Sequence, residues 1–182
     1  MGRTRTAALD GARRVLAEHG LRKATMGDVA VRGGLAKATL YNHFRTKDDL
    51  VSGLVHDDVT ELAADCVDLA ADDLAVALTR AADGVAAHPV LVGLRTVERG
   101  ALLSLAAPTA APGWDLVRAQ VALVLDAADR SSEPQNVDYV CRWVASHVLE
   151  PGTPTSRGSQ ARLVAASLPA AVRTTTFAAP GG

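Results

Sequence analysis

The apolar side chains of this chain constrain its fold most, because nearly all of them are leucine, valine or alanine. The sequence has no isoleucine, and only 3% of its 182 residues are aromatic, although 48% are hydrophobic. Alanine and leucine are strong helix formers, whereas strands prefer isoleucine and the aromatic residues. With 21% charged residues, the chain is also too apolar for a disordered protein. The composition therefore predicts an all-α fold of closely packed helices.

The charge of the chain is divided unevenly along its length. Its formal net charge is −1, but residues 1–47 carry ten basic and three acidic side chains, a net charge of +7. The other 135 residues sum to −8. A basic segment on an acidic body is typical of a chain that presents one end to a polyanion, although a solvated basic face without a partner would look the same.

Several classes of protein are disfavoured by simple features. No apolar run approaches the ~20 residues that span a bilayer, and the N-terminus lacks the apolar stretch of a secretory signal. Cys66 and Cys141 are isolated, which argues against a disulfide framework or a zinc site. We therefore expect a cytoplasmic protein with no membrane contact, no metal and no cofactor.

The first fifty residues have the pattern of three short helices. Apolar residues recur at helical spacing from Thr6 to His19, and Gly20 can end that helix. Thr25 with Asp28 forms a capping pattern for a second helix, which the pair Gly33-Gly34 interrupts. A third helix is predicted from about residue 37 to residue 44. Helix, helix, turn and helix in this order predict a helix-turn-helix.

The third helix has one apolar side and one hydrogen-bonding side. Leu40 and Phe44 fall together on a helical wheel and should face the core. On the other side, Asn42 can pair with an adenine edge and Lys37 can donate to guanine. The remaining donors suit phosphate oxygens; they are Thr39, Tyr41, His43 and Lys47.

The run from Thr25 to Leu50 resembles the DNA-binding signature of the TetR family of bacterial transcriptional regulators, most specifically in its part Thr39–Phe44. The resemblance covers about a quarter of the chain. It implies that Lys37, Ala38 and Asn42 approach base edges. It also implies that the DNA backbone is held by Thr25, Thr39, Tyr41, His43 and Lys47.

This chain departs from the family pattern at two positions. Ala36 stands where the family usually has serine or threonine, so the third helix should lack a side-chain N-cap, a loss of roughly 1 kcal/mol. Gly33 stands where alanine is common, which should loosen the end of the second helix by up to ~1 kcal/mol. Neither change removes a donor from the exposed side.

The acidic remainder also has a helical pattern. Thr46 and Asp49 form another capping pattern, so a long helix should run from Lys47 to about residue 72. Further helices are predicted at about 74–87, 89–106, 113–130, 134–149 and 158–173, and Pro169 can kink or shorten the last of them. We expect a helix-turn-helix domain at 1–47, a helical effector-binding and dimerisation domain at 48–173, and a flexible tail at 174–182.

Motifs for catalysis are missing from the sequence. It contains no nucleophile elbow, phosphate loop, dinucleotide fingerprint or zinc-protease motif. His56, Asp57 and Asp58 could form a metal corner, but adjacent helical residues point in different directions. His147 and Cys141 fall nearly on opposite sides of a helix and fit a packing role. The chain is therefore not expected to be an enzyme.

In the TetR family, a helical body of this kind forms a dimer and holds a small-molecule cavity. Two apolar stripes in the last helices belong by default to the core, and the resemblance makes them candidates for a dimer interface: Val137, Val140, Val144, Val148, Leu163 and Leu168. The residues predicted for the cavity are Leu62, Cys66, Leu94, Val97, Trp114, Val117 and Trp143. The two tryptophans are equally compatible with a plain core role. A mainly aliphatic lining favours a small apolar or weakly polar ligand.

Together these features predict a ligand-responsive transcriptional regulator. Its expected action is that of a homodimeric repressor, which binds a pseudo-palindromic operator in double-stranded DNA and is released by a small molecule. The main alternative is a helical small-molecule-binding or scaffold protein whose DNA-binding head is weakened or non-functional. An enzyme on the helical body, with His56 or His147 as candidate residues, is a third alternative.

Overall fold

The computed structural model describes residues 2–107 and 113–171, and within them the regular elements are all helices, with no strand. The predicted tail at 174–182 lies outside the described residues. The helices are α1 (Gly2–Lys23), α2 (Met26–Arg32), α3 (Lys37–His43), α4 (Lys47–Ala70), α5 (Leu74–Ala87), α6 (Pro89–Val97), α7 (Arg99–Leu105), α8 (Trp114–Ala127), α9 (Pro134–Leu149) and α10 (Pro154–Ser167). The all-α prediction is confirmed.

Three of the predicted helices have different bounds in the structure. The stretch predicted as one helix at 89–106 is two helices, because Glu98 has non-helical angles (φ −150°, ψ 58°) between α6 and α7. The last helix begins at Pro154, where Thr153 and Ser156 form a reciprocal capping box. It ends at Ser167, because the residue before Pro169 is driven out of the helical conformation. The first helix begins at Gly2, earlier than predicted, and its helical angles are interrupted at Gly20 (φ 77°, ψ 174°), where the sequence predicts its end.

The buried side chains form two clusters. The first joins α1, α2 and α3 to the start of α4 and to α6 and α7; its fully buried members include Leu9, Leu40, Leu50, Leu94 and Leu102. The second lies between the end of α4 and helices α5, α8, α9 and α10. The apolar core around the three N-terminal helices therefore continues past residue 47 into α4, α6 and α7.

Two close helix contacts depend on glycine. A Cβ atom on Gly33 would lie 2.7 Å from the carbonyl oxygen of Ala7, and one on Gly93 would lie 2.1 Å from the carbonyl oxygen of Ala17. Gly33 is thus needed for the packing of α2 on α1, a role that its helix propensity alone does not reveal. Gly93 in the same way lets α6 lie directly against α1, which joins the N-terminal helices to the rest of the chain.

Candidate nucleic-acid interface and central cavity

The N-terminus of α2 is capped as the sequence predicts. The hydroxyl oxygen of Thr25 accepts from the backbone N–H of Asp28 at 3.2 Å, and the hydroxyl proton is donated to the Asp28 carboxylate at 2.6 Å. This hydrogen bond from Thr25 lowers the pKa of Asp28. Because Thr25 has a single hydroxyl proton, it could donate to a phosphate only by releasing Asp28.

Helix α3 is held by its apolar side and exposes its polar side. Leu40 is fully buried and Phe44 nearly so, whereas Lys37, Tyr41 and Asn42 are exposed. Among the residues that the structure describes, these three polar side chains have no hydrogen bond or ion pair within the chain. The other predicted DNA-contacting residues of α3 are Ala38, which is exposed, and Thr39 and His43, which are half-buried.

The start of α3 has no side-chain cap. Ala36 occupies the N-cap position with extended angles (φ −64°, ψ 141°), and no side chain accepts from the first turn. This confirms the expectation from the sequence. The helix is seven residues long, so it depends on the burial of Leu40 and Phe44 for its position.

Lys47 has a contact that the sequence did not predict. Its ammonium group donates to the carbonyl oxygens of Leu21 at 2.8 Å and Ala24 at 3.3 Å. The side chain therefore ties the beginning of α4 to the end of α1. Because an ammonium group has three protons, one donor remains for a phosphate oxygen.

Part of the positive charge of residues 1–47 is neutralised inside the molecule. Arg5 pairs with Asp57 at 2.9 Å, and Arg13 pairs with Asp57 at 3.3 Å and Asp58 at 2.5 Å. Both acids lie on α4, so these basic side chains attach α1 to α4. Arg32 forms a further ion pair with Glu18. The net charge of +7 thus overstates what this segment offers to a polyanion.

A cavity of about 280 Å³ lies in the helical body. Five of the residues predicted for a cavity line it: Leu62, Cys66, Leu94, Trp114 and Val117. The prediction was wrong about the position of the other two. Val97 is 48% exposed on the surface, and Trp143 lies against His147, with its indole N–H donating to Gln160 at 3.3 Å.

The cavity lining is apolar apart from three side chains, Asp58, His88 and Gln120. His88 Nε2 lies 2.8 Å from Asp58 Oδ2, and the other oxygen of Asp58 accepts from Arg13. Burial alone would raise the pKa of Asp58, but the hydrogen bonds from His88 and Arg13 outweigh it and hold that pKa below its ordinary value. Asp58 is therefore an ionised carboxylate that joins the cavity to α1.

The side chains predicted for a dimer interface are mostly used inside the subunit. Val137, Val140, Val148 and Leu168 are all at most 7% exposed within one chain, so these four belong to its own core. Val144 is half-buried and lines the cavity. Leu163 is 72% exposed and is the one member of the predicted set on the open surface.

The side chains weighed for catalysis do not form a site. In the described part of the chain, no three His, Cys, Asp or Glu residues come together as a possible metal site. Burial raises the pKa of Cys66 and of Cys141 to about 11, so neither is a thiolate near neutral pH. His56 is exposed and His147 is buried. Within the same residues, no helix is both long and apolar enough to cross a membrane.

Helices α2 and α3, with the polar side of α3 exposed, have the arrangement of a helix-turn-helix. Residues 8–54 match the family described as bacterial regulatory proteins, tetR family. This match covers about a quarter of the chain.

A curated relative is similar to part of the chain. The HTH-type transcriptional repressor Rv1474c of Mycobacterium tuberculosis is 41% identical over 56 residues, which cover 31% of this chain and 30% of that protein. The chain thus matches less than a third of that repressor's length.

The solved structures are similar over nearly the whole chain. The TetR family repressor AlkX from Dietzia sp. strain DQ12-45-1b has a TM-score of 0.65 at 18% identity, covering 89% of this chain and 93% of that one. The TetR regulator SCO0520 from Streptomyces coelicolor has a TM-score of 0.56 at 21% identity (92% and 99% covered). The fatty acid degradation regulator FadR from Bacillus halodurans has a TM-score of 0.57 at 14% identity (90% and 95% covered). These likenesses show that the body, as well as the N-terminal helices, has the fold of such regulators.

Proposed function

We propose that this protein is a homodimeric repressor that binds a pseudo-palindromic operator and is released when a small molecule enters its cavity. The observation that carries this proposal is the exposed side of α3. Lys37, Tyr41 and Asn42 are exposed there without a partner among the described residues, while the opposite side is fixed by Leu40 and Phe44. Recognition of base edges in a major groove needs polar side chains that are held in place and free to form hydrogen bonds with the bases.

The exposed side chains divide into two proposed roles. Asn42 and Lys37 would read base edges, with Ala38 close enough for apolar contact. Tyr41, with the half-buried Thr39 and His43, would hold phosphates, as would the remaining donor of Lys47 and, if it releases Asp28, the hydroxyl of Thr25. The two α3 helices of a dimer would then enter successive major grooves, roughly 34–36 Å apart.

The proposed interface uses exposed side chains of α9 and α10. Four of the residues first assigned to it are in the subunit core, so we place it at Leu163 on α10 and Tyr139 on α9, which are 72% and 46% exposed. Leu163→Glu should then give a monomer by light scattering, with Leu123→Glu on α8 (53% exposed) as the matched surface control. If the Leu163 variant remains a dimer, the interface lies elsewhere.

The proposed release depends on differential binding. A ligand in the cavity can lower operator affinity only if it binds the arrangement that does not fit DNA more tightly, and operator must then weaken ligand binding by the same factor. Helix α4 is the connecting element, because it carries cavity residues and also pairs with α1 through Asp57 and Asp58.

Selection of bound sites from a random DNA pool tests the proposal most directly. The full chain should enrich a two-fold related sequence. Asn42→Ala should relax the preference at one base position, whereas Tyr41→Ala should weaken binding to all sequences and reduce its salt dependence. Arg162→Ala, on the exposed surface of α10, is the control and should change neither.

A pool without any enriched site would contradict the repressor proposal. It would favour the second candidate, a helical small-molecule-binding or scaffold protein with a weakened head, for which the missing side-chain cap at Ala36 is the specific observation. In that case the cavity would still bind its ligand, and Ala36→Ser would be the variant to examine for recovered DNA binding.

A further inference from the structure

The polar groups of the cavity are concentrated in one hydrogen-bonded pair. Of the three polar lining side chains, Asp58 and His88 are bonded to each other, whereas Gln120 stands on α8 without a partner among the described residues. All other lining side chains are apolar. A molecule that enters this cavity therefore meets an apolar surface with a carboxylate–imidazole pair at one place.

Asp58 has one acceptor position left. A carboxylate offers about four lone-pair sites. Two sites on Oδ1 are taken by the Nε and Nη2 groups of Arg13, at 2.8 and 2.5 Å, and one site on Oδ2 is taken by His88 Nε2 at 2.8 Å. The site that remains is a second lone pair on Oδ2.

His88 also has a ring nitrogen without a partner among the described residues. Its Nε2 faces the Asp58 carboxylate and so carries a proton, and Nδ1 is the other ring nitrogen. Nδ1 is buried and has no hydrogen-bond partner in the part of the chain that the structure describes. The open position on Asp58 is an acceptor, so a ligand can satisfy it only with a donor.

The charges around the pair discriminate between head groups. Arg13 is shared among the carboxylates of Asp10, Asp57 and Asp58, so it has little positive charge to spare for a further anion. An anionic head would face the Asp58 carboxylate directly, and a cationic head would lose its hydration next to a charge that is already balanced. An uncharged donor avoids both costs.

We propose that the ligand is an aliphatic molecule with a single uncharged hydrogen-bond donor, such as an alcohol, and that this donor binds to Asp58 Oδ2. The inference rests on the proposed ligand site and specifies the chemical class that the site accepts. It also gives the ligand a contact with the carboxylate that holds Arg13 of α1, so that head-group binding acts on the connection between body and N-terminal helices.

Three compounds of similar size test the chemistry without DNA: 1-octanol, its isomer heptyl methyl ether, which accepts but does not donate hydrogen bonds, and octanoate. Trp143→Phe leaves Trp114, in the cavity lining, as the only tryptophan, so its fluorescence reports binding. We expect 1-octanol to bind roughly tenfold more tightly than the ether, because it adds a hydrogen bond to a charged group. Octanoate should bind most weakly.

Two further variants assign the preference to a residue. Asp58→Asn should reduce the advantage of 1-octanol over the ether to within about threefold, since a neutral acceptor forms a weaker hydrogen bond. Gln120→Leu should leave the advantage unchanged. Circular dichroism checks that each variant folds. The ratio of the 1-octanol affinity to the ether affinity is also measured in the Trp143→Phe protein without a further substitution, so that result holds even if Asp58→Asn or Gln120→Leu does not fold.

Several results would overturn the inference. The inference is wrong if the ether binds as tightly as 1-octanol, if octanoate binds most tightly of the three, or if none of them binds. It is also wrong if the tighter binding of 1-octanol over the ether survives in Asp58→Asn or disappears in Gln120→Leu. Operator binding is measured separately. If 1-octanol binds as expected but operator affinity does not fall, ligand-induced release is refuted and the assignment to Asp58 stands.

Discussion

Replacing Gly93 by alanine should destabilise the protein by forcing α6 away from α1. A Cβ atom at this position would lie 2.1 Å from the carbonyl oxygen of Ala17 and 2.6 Å from its Cα atom. An ordinary carbon–oxygen contact is about 3.3 Å, so the helices must separate by roughly 1 Å. The obstructing atoms are backbone and cannot rotate away. Leu94, which is fully buried next to Gly93, would move with the helix.

The magnitude follows from two opposing terms. Overpacking a core contact costs about 1–3 kcal/mol, and a backbone contact belongs at the upper end of that range. Alanine gains up to about 1 kcal/mol over glycine from helix propensity. The net effect of Gly93→Ala should therefore be a loss of about 2 kcal/mol in the free energy of unfolding, measured by urea denaturation.

Gly100 provides the matched control. It lies in α7, and nothing is within 4 Å of the position that its Cβ would occupy. Gly100→Ala should then show the propensity gain alone, and the two alanine variants should differ by about 3 kcal/mol. If Gly93→Ala is as stable as the unsubstituted protein, the contact between α6 and α1 is not as close as this reasoning requires.

Three further predictions concern other parts of the chain. Ala36→Ser should raise the free energy of unfolding by about 1 kcal/mol, because the position already has the extended angles of an N-cap; urea denaturation measures it. Cys66 and Cys141, with pKa values raised to about 11 by burial, should react with Ellman's reagent at pH 8 only after urea is added; rapid reaction of the folded protein would contradict their burial. Arg157→Ala should lower the melting temperature, at a cost of about 2 kcal/mol, because this buried side chain holds Asp83 at 2.5 Å and two backbone carbonyls. The exposed Arg162→Ala should stay within about 0.5 kcal/mol.

Local sequence patterns predicted the parts of the fold that local physics determines. The helices 74–87 and 134–149 were placed correctly because a capping aspartate, a break before proline and proline at a helix start act within one turn. The break at Glu98 was missed because the apolar spacing continues across it. Its cause is tertiary, since the carboxylate of Glu98 accepts from the backbone N–H of Arg22 at 3.0 Å in another helix.

Five of seven cavity residues were predicted because large apolar side chains on body helices tend to share one interior. Val97 and Trp143 show the limit of that reasoning, since a helix can turn such a side chain outward or into a separate contact. The polar lining was missed altogether. Asp58 was considered only with its sequence neighbours, whereas its partners His88 and Arg13 are 30 and 45 residues away.

The pairs between α1 and α4 change how the charge of residues 1–47 should be understood. From the sequence alone, every basic side chain in this segment is a candidate to bind a polyanion. In the structure, two of them form ion pairs with acids of α4: Arg5 with Asp57, and Arg13 with Asp57 and Asp58. The acids of the body therefore have a specific use, which is to fix the position of α1. Lys37 on α3 has no such partner among the described residues. The same charge separation along the chain thus attaches the N-terminal helices to the body and leaves the basic side chain of α3 exposed, where the proposed function places DNA.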